Sequence, residues 1–130
     1  MPRDAIICVD DEAIILLSLK QEIKDHFGDR FVYETAMNGE EALEVIAELE
    51  TEGIRTVVII SDWLMPRMKG DELIFEAKRR YPWMKGILIT GQADRTSIER
   101  ARSEIDIVGC INKPWRRDEL MSAIERAVTV

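Results

Sequence analysis

The chain is poor in the residues that build most metal and catalytic sites: 130 residues hold one histidine, His26, and two cysteines, Cys8 and Cys110. The cysteines lie in separate apolar runs with no C-x-x-C spacing, so a zinc site would have to gather His26, both thiols and carboxylates from distant parts of the chain. A disulfide framework is equally absent, and the two thiols are expected to be buried and reduced, as suits a cytoplasmic location. His26 falls near the end of a helical pattern and reads as a surface residue. Basic residues are also in deficit, 18 Lys plus Arg against 25 Asp plus Glu for a net charge of −7. An acidic surface repels phosphate backbones, and Lys78-Arg79-Arg80 and Arg116-Arg117 are too short to offset it, so no direct nucleic-acid partner is expected. No apolar run approaches the roughly 20 residues of a membrane-spanning helix, and Ala5 to Val9 is too short for a signal segment, so no membrane partner is expected either. No linker, repeat or low-complexity stretch divides residues 1–130, which read as a single domain.

What is present is globular: 46% hydrophobic and 33% charged residues, enough at this length to bury a real core. The apolar runs come in two lengths. Ala5 to Val9, Val57 to Ile60, Ile87 to Ile89 and Ile107 to Ile111 are short, continuous and rich in Ile and Val, as strands buried on both faces must be. Phe31 to Ala36 is mixed, which suits an edge strand. Between them, Leu16, Leu19, Ile23 and Phe27, then Ala42, Val45, Ile46 and Leu49, then Leu73, Ile74, Ala77 and Tyr81, and finally Leu120, Ile124 and Ala127 have helical spacing. A weaker helix over residues 94 to 103 has only Ile98 and Ala101 as apolar anchors. Gly28, Gly53 and Pro82 fall where helices should stop, and Asn38-Gly39-Glu40-Glu41 reads as an N-cap. Strand then helix, repeated five times, predicts an α/β fold: a doubly wound parallel sheet with helices on both faces.

Such sheets bind ligands beyond the carboxyl ends of their strands. After the first strand stand Asp10, Asp11 and Glu12; after the third, Ser61, Asp62 and Trp63; after the fourth, Thr90 and Gly91; after the fifth, Asn112, Lys113 and Pro114. Holding Asp10, Asp11 and Asp62 together is costly unless a cation neutralises them. Hard carboxylate oxygens with room for water suit Mg2+, and a carboxylate can itself attack a phosphoryl group. Lys113 would add a second positive charge and Thr90 a hydroxyl donor for phosphate oxygens. Each residue alone has a plainer reading, as a cap or a turn. The four strand ends together are harder to assign to chance.

The chain resembles a receiver domain of bacterial two-component response regulators over nearly its whole length. The resemblance rests on Val9-Asp10-Asp11-Glu12, on Ser61-Asp62-Trp63-Leu64-Met65-Pro66-Arg67-Met68-Lys69-Gly70, on Ile89-Thr90-Gly91-Gln92-Ala93 and on Lys113-Pro114-Trp115. It implies a flavodoxin-like five-stranded sheet of order 2-1-3-4-5, an arrangement that is itself a standard illustration of ligand binding at a switch point. It further implies that Asp62 accepts the phosphoryl group and that Asp10, Asp11, Asp62 and the Leu64 backbone carbonyl surround Mg2+, with Asp11 the more direct ligand of the first two. Thr90 would be the switch hydroxyl and Lys113 the phosphate counter-ion, on a cis Lys113-Pro114 peptide. A histidine kinase or phosphotransfer protein would be the donor. Phosphorylation would change the surface around residues 94 to 103, the fifth strand and the last helix for an output protein, with self-association as a homodimer left open. At this length the receiver occupies the whole chain, so the output is expected in another chain or a removed segment.

Four positions depart from the usual pattern. Cys110 stands where many receivers carry the Tyr or Phe that swings inward, so it is expected to be a passive core residue while Thr90 and the loop after it move. Trp115 is expected to pack at the start of the last helix. Leu64 is apolar where a polar side chain would orient attacking water, which implies slow loss of phosphate; Gln92 could offset this by holding a water. Arg116 occupies the cap position of the last helix and should leave that end less well stabilised. Other functions fit less well. An aspartyl-nucleophile phosphatase would need a general-acid Asp where Leu64 stands, so turnover is not expected. A flavin carrier would need a phosphate loop where Asp10-Asp11-Glu12 repels one. A degenerate receiver acting as a phosphorylation-independent adaptor would not need the full acceptor set.

Overall fold

Runs of Ile and Val that are apolar on both faces can leave water only by lying side by side between two layers of helices. A computed structural model, which describes residues 3–91 and 107–129, arranges them in this way. The strands β1 (Asp4–Val9), β2 (Val32–Ala36), β3 (Arg55–Asp62), β4 (Lys85–Thr90) and β5 (Ile107–Asn112) form one parallel sheet in the order β2-β1-β3-β4-β5. The helices described are α1 (Ala13–Phe27), α2 (Gly39–Thr51), α3 (Gly70–Arg80) and α4 (Arg117–Val128), with a 3-10 turn at Gly28–Arg30. This is the doubly wound fold expected from the alternation of strand and helix, in the flavodoxin-like order that the resemblance implies. The helix expected over residues 94 to 103, and Gln92 with it, lie outside the described residues.

The period-two alternation of the strands sorts the core into two layers. On one face Ile6, Cys8, Val58, Ile60, Ile87 and Ile89 meet Leu16, Leu19 and Ile23 of α1 and Leu120 and Ile124 of α4. On the other Ile7, Val9, Ile59 and Leu88 meet Ala42 and Ile46 of α2 and Leu73 and Ile74 of α3. Burying each Ile or Leu in this way stabilises the fold by about 1.5–3 kcal/mol relative to exposure. Local signals act where expected. Asn38 Oδ1 accepts from the Glu41 amide at 2.8 Å, capping α2. Gly28 and Gly53 end α1 and α2 with φ of 59° and 78°, a region open to glycine at little cost. Arg116 precedes α4 without a side-chain cap. The Lys113–Pro114 peptide is cis.

One expectation needs correction. Cys8 is buried at the sheet centre, where burial pushes its thiol up to about 12. Cys110 is only half-buried, because β5 is the edge strand and its residues alternate between full and partial cover.

Gly70 fixes how closely α3 approaches the sheet. A Cβ on Gly70 would fall inside van der Waals contact of the Asp62 carbonyl oxygen and within 2.9 Å of Leu88 Cδ2 and 3.0 Å of Ser61 Oγ. The first of these is backbone and cannot turn aside. At Gly39 the clash is with the Met68 thioether, the end of a flexible side chain. Gly70→Ala is therefore expected to cost about 1–3 kcal/mol in urea denaturation. Gly39→Ala should change stability by less than about 0.5 kcal/mol, since Met68 can rotate away. Equal costs at the two positions would refute this account of the α3 approach.

Candidate functional site

Register assembles the site. Val9 of β1 pairs with Ser61 of β3, so Asp10 and Asp62 each stand one residue beyond that pair at the carboxyl edge of adjacent strands. Asp62 pairs with Ile89 and Thr90 pairs with Asn112, which brings Thr90 and Lys113 to the same edge. The Lys113 amide donates to the Thr90 carbonyl at 2.7 Å and anchors the start of the loop that follows β5. Asp10 and Asp62 are only 2% and 8% exposed, whereas Asp11 is exposed. One oxygen from each of Asp10, Asp11 and Asp62 can be chosen so that all three lie within 4.8 Å of one another.

The charge balance of this cluster rests on one ammonium group. Lys113 Nζ donates to Asp10 Oδ2 at 2.9 Å and lies 3.3 Å from Asp62 Oδ1. Burial works against the charged lysine, but its hydrogen bond and attraction to Asp10, together with Asp62, outweigh that and hold its pKa above the ordinary value. Asp62 is shifted up, first by burial and then by Asp10 and Asp11, and the attraction of Lys113 reverses only part of this. Asp10 also accepts the Glu12 amide at 2.8 Å on Oδ1, so its two oxygens serve a local turn and the distant lysine at once. The plain reading as a turn residue applies to Asp10, and the same carboxylate also faces Lys113.

The segment after Asp62 alternates in burial: Trp63 and Met65 are buried in the α2/α3 layer, while Leu64 between them is 57% exposed. Arg67, at φ 70°, holds a tight turn in which the Met68 amide donates to the Pro66 carbonyl at 2.8 Å, a geometry that non-glycine residues adopt only under constraint. Trp115 packs against the α1/α4 layer and donates its indole N–H to Glu22 at 2.9 Å, as a packing residue should. Sequence reasoning missed two features. Trp63 Nε1 donates to Asp71 Oδ1 at 3.1 Å, and a groove lined by Ile14, Ile15, Ser18, Glu22, Pro114 and Trp115 runs beside Lys113. Ile14 and Leu17, 83% and 68% exposed, lie one turn apart on α1. Two apolar residues outside the Leu16, Leu19, Ile23 stripe were the available sign.

Since Asp62 binds its proton more tightly in the folded than in the unfolded chain, its contribution to stability is greatest below the ordinary carboxylate range. It falls as pH rises through the folded-state value. In metal-free buffer Asp62→Asn should therefore stabilise the protein at neutral pH, by on the order of 0.5–2 kcal/mol. The advantage should shrink as pH is lowered and the wild-type carboxyl is protonated. Thermal denaturation at several pH values measures it, and a less stable Asn variant at neutral pH would contradict the assigned charge balance.

Comparison with known proteins agrees with this geometry. The family model of the response regulator receiver domain matches residues 6–125. The DNA-binding transcriptional regulator NtrC of Escherichia coli (strain K12) is 29% identical over 129 residues, 99% of this chain but 26% of that protein. The chain thus spans about a quarter of the length of that relative. Among solved structures, the signal receiver domain of an HD domain-containing protein from Pseudomonas fluorescens Pf-5 is 28% identical with a TM-score of 0.84, covering 98% of this chain and 95% of that one. A response regulator receiver domain protein from Clostridium thermocellum is likewise 28% identical with a TM-score of 0.83, covering 97% and 94%. With two helical layers on a β2-β1-β3-β4-β5 sheet and an acidic pocket at its carboxyl edge, this chain belongs to the response regulator receiver domain family.

Proposed function

We propose that residues 1–130 act as one phosphorylation-controlled switch, in which Asp62 takes a phosphoryl group from a histidine kinase or phosphotransfer protein with Mg2+ bound beside it. The observation that carries this reading is the carboxylate cluster of Asp10, Asp11 and Asp62 with Lys113 bridging two of its members. The cluster fits the ion. Mg2+ takes carboxylate oxygens as ligands, and one oxygen from each of the three side chains lies within 4.8 Å of the others, so Asp10, Asp11 and Asp62 would hold it between them. The ion would screen the acceptor from the incoming phosphoryl group and stabilise its oxygens. The all-oxygen donor set and the exposure of Asp11 leave room for water and phosphate oxygens, as Mg2+ prefers.

The remaining steps fall to the protein. An oxygen of Asp62 attacks phosphorus as the bond to the donor's nitrogen or oxygen breaks. Lys113 already lies 3.3 Å from Asp62, placed to pair with an oxygen of the transferred group. Thr90, buried at the end of β4, supplies the hydroxyl that would follow that oxygen and draw the loop after it. The carbonyl of Leu64 would join the proposed metal ligands, and its apolar side chain offers no orientation to an attacking water. The same side chain leaves no general acid two residues after the acceptor, which argues for a slowly reversing switch rather than a turnover phosphatase.

The donor's docking face follows from exposure and place. Ile14 and Leu17 present apolar area that α1 does not need for its own packing, next to the groove that ends at Lys113. A protein that delivers phosphate to Asp62 is proposed to cover this side of the acceptor. A distinct surface, around residues 94 to 103, β5 and α4, is proposed to carry the altered state to an output protein.

Incubation with acetyl phosphate and Mg2+ should give a single phosphoryl adduct by intact mass, absent from Asp62→Ala. No adduct on the wild type, or an equal one on the variant, would overturn the assignment. Removal of Mg2+ by chelation should abolish the adduct and lower the thermal midpoint, since a ligand bound only to the folded state stabilises it by about 2.7 kcal/mol at a hundredfold excess over its dissociation constant. Ile14→Glu with Leu17→Glu should retain the acetyl phosphate reaction and lose transfer from a phosphohistidine protein by at least about tenfold. An equal loss with both donors would argue against a docking role.

A further inference from the structure

Asp71 lies outside the acceptor cluster, yet it holds the residue next to Asp62. Trp63 is clamped in four ways. Its amide donates to the Ile89 carbonyl of β4 at 2.9 Å, and its carbonyl accepts from the Gly70 amide at 2.8 Å. Its indole N–H donates to Asp71 Oδ1 at 3.1 Å, and the Lys69 ammonium sits 6.0 Å from the ring centroid. Residues 69, 70 and 71 at the start of α3 therefore grip residue 63 from one side while β4 holds it from the other. The segment from Leu64 to Met68 leaves and returns through this grip, and the Arg67 turn at its tip is the conformation that a free loop would relax.

We infer that Asp71 is a positioning residue for the metal site, acting through the Trp63 indole to fix the peptide that carries Asp62 on one side and the Leu64 carbonyl on the other. This rests on the Mg2+-dependent acceptor reading above. The backbone bonds of Trp63 hold its amide to β4 and its carbonyl to α3, two different elements, and leave the residue able to rock between them. The bond to Asp71, in a partly buried setting and to a charged acceptor, removes that freedom. Asp71 also favours the N-terminus of α3 as an acidic residue in the first turn. The two roles separate chemically, because asparagine keeps the acceptor oxygen and loses the charge.

The test is direct Mg2+ titration by calorimetry, without phosphodonor, on the wild type, Asp71→Ala, Asp71→Asn, Trp63→Phe and the double variant Asp71→Ala/Trp63→Phe. A group bonded directly to a metal ligand typically contributes about 10- to 100-fold in affinity. Asp71 acts one residue further away, so Asp71→Ala and Trp63→Phe should each raise the Mg2+ dissociation constant about three- to tenfold. The double variant should be no weaker than either single one, and Asp71→Asn should stay within about twofold of wild type. Hydrogen exchange of the Trp63 indole N–H, followed by NMR, should quicken in Asp71→Ala and not in Asp71→Asn. An unchanged Mg2+ affinity in Asp71→Ala, additive losses in the double variant, or an Asn variant as weak as the Ala one would overturn the inference. Failure of the wild type itself to bind Mg2+ would instead overturn the acceptor reading on which it rests.

Discussion

The ammonium of Lys113 between Asp10 and Asp62 is the contact on which the site depends. Two carboxylates almost out of water at the ends of neighbouring strands would each bear a large desolvation cost if left unpaired. Lys113 reaches both, at 2.9 Å and 3.3 Å, across 103 positions of sequence from Asp10. It must pass over β4 to do so, because β4 lies between β3 and β5. The sheet order is therefore an electrostatic requirement as well as a packing one. Without β5 in the fifth place, nothing among the described residues would hold a cation over the acidic pair. Among the described residues the balance is incomplete: one ammonium faces three carboxylates, and Asp62 stays shifted up by burial and by Asp10. The residual negative charge is what a divalent ion would neutralise in the proposed function before an anionic phosphoryl group could approach.

How much of this the sequence revealed divides along the range of the interactions. Four strands were legible because burial on both faces forces continuous Ile and Val, and the mixed run before Ala36 was legible as an edge strand. The caps at Asn38, Gly28 and Gly53 were legible because they act over two or three residues. Asp10, Asp62, Thr90 and Lys113 could be named because each stands at or just beyond the carboxyl end of a strand, and parallel strands end on one side. Their register could not be read. A shift of one residue between β1 and β3 would have put Asp10 out of step with Asp62, and no local pattern distinguishes the two cases.

The misses have the same cause. Trp63 and Asp71 are eight residues apart with a loop between them, and neither has a neighbour that marks the bond. Trp63 reads in sequence as one more apolar residue beside the acceptor. Its polar edge finds Asp71 only after Gly70 has let α3 approach the end of β3. Cys110 was expected to be covered because its run is apolar, yet the burial of an edge strand is decided by what lies beyond it, and that is not written in the strand itself. Apolarity in sequence reports that a residue can be buried; position in the sheet decides whether it is.

Rigidity is unevenly spread around the acceptor, and the pattern bears on how a switch could be built here. On the β3 side everything is tied down: Trp63 by β4 and by α3, Gly70 against the Asp62 carbonyl, and Asp10 by the Glu12 amide and by Lys113. On the β4 and β5 side, Thr90 and Lys113 share a backbone hydrogen bond, and Cys110 lies three residues before the lysine. A half-buried thiol cannot fill and vacate a cavity as a ring would, so it gives rotamer exchange little volume to act through. In the proposed switch a new charge on Asp62 would leave this tied-down β3 side in place. In that proposal the Thr90 hydroxyl, at the end of β4, would respond to the new charge, with the clamped β3 side as the fixed frame.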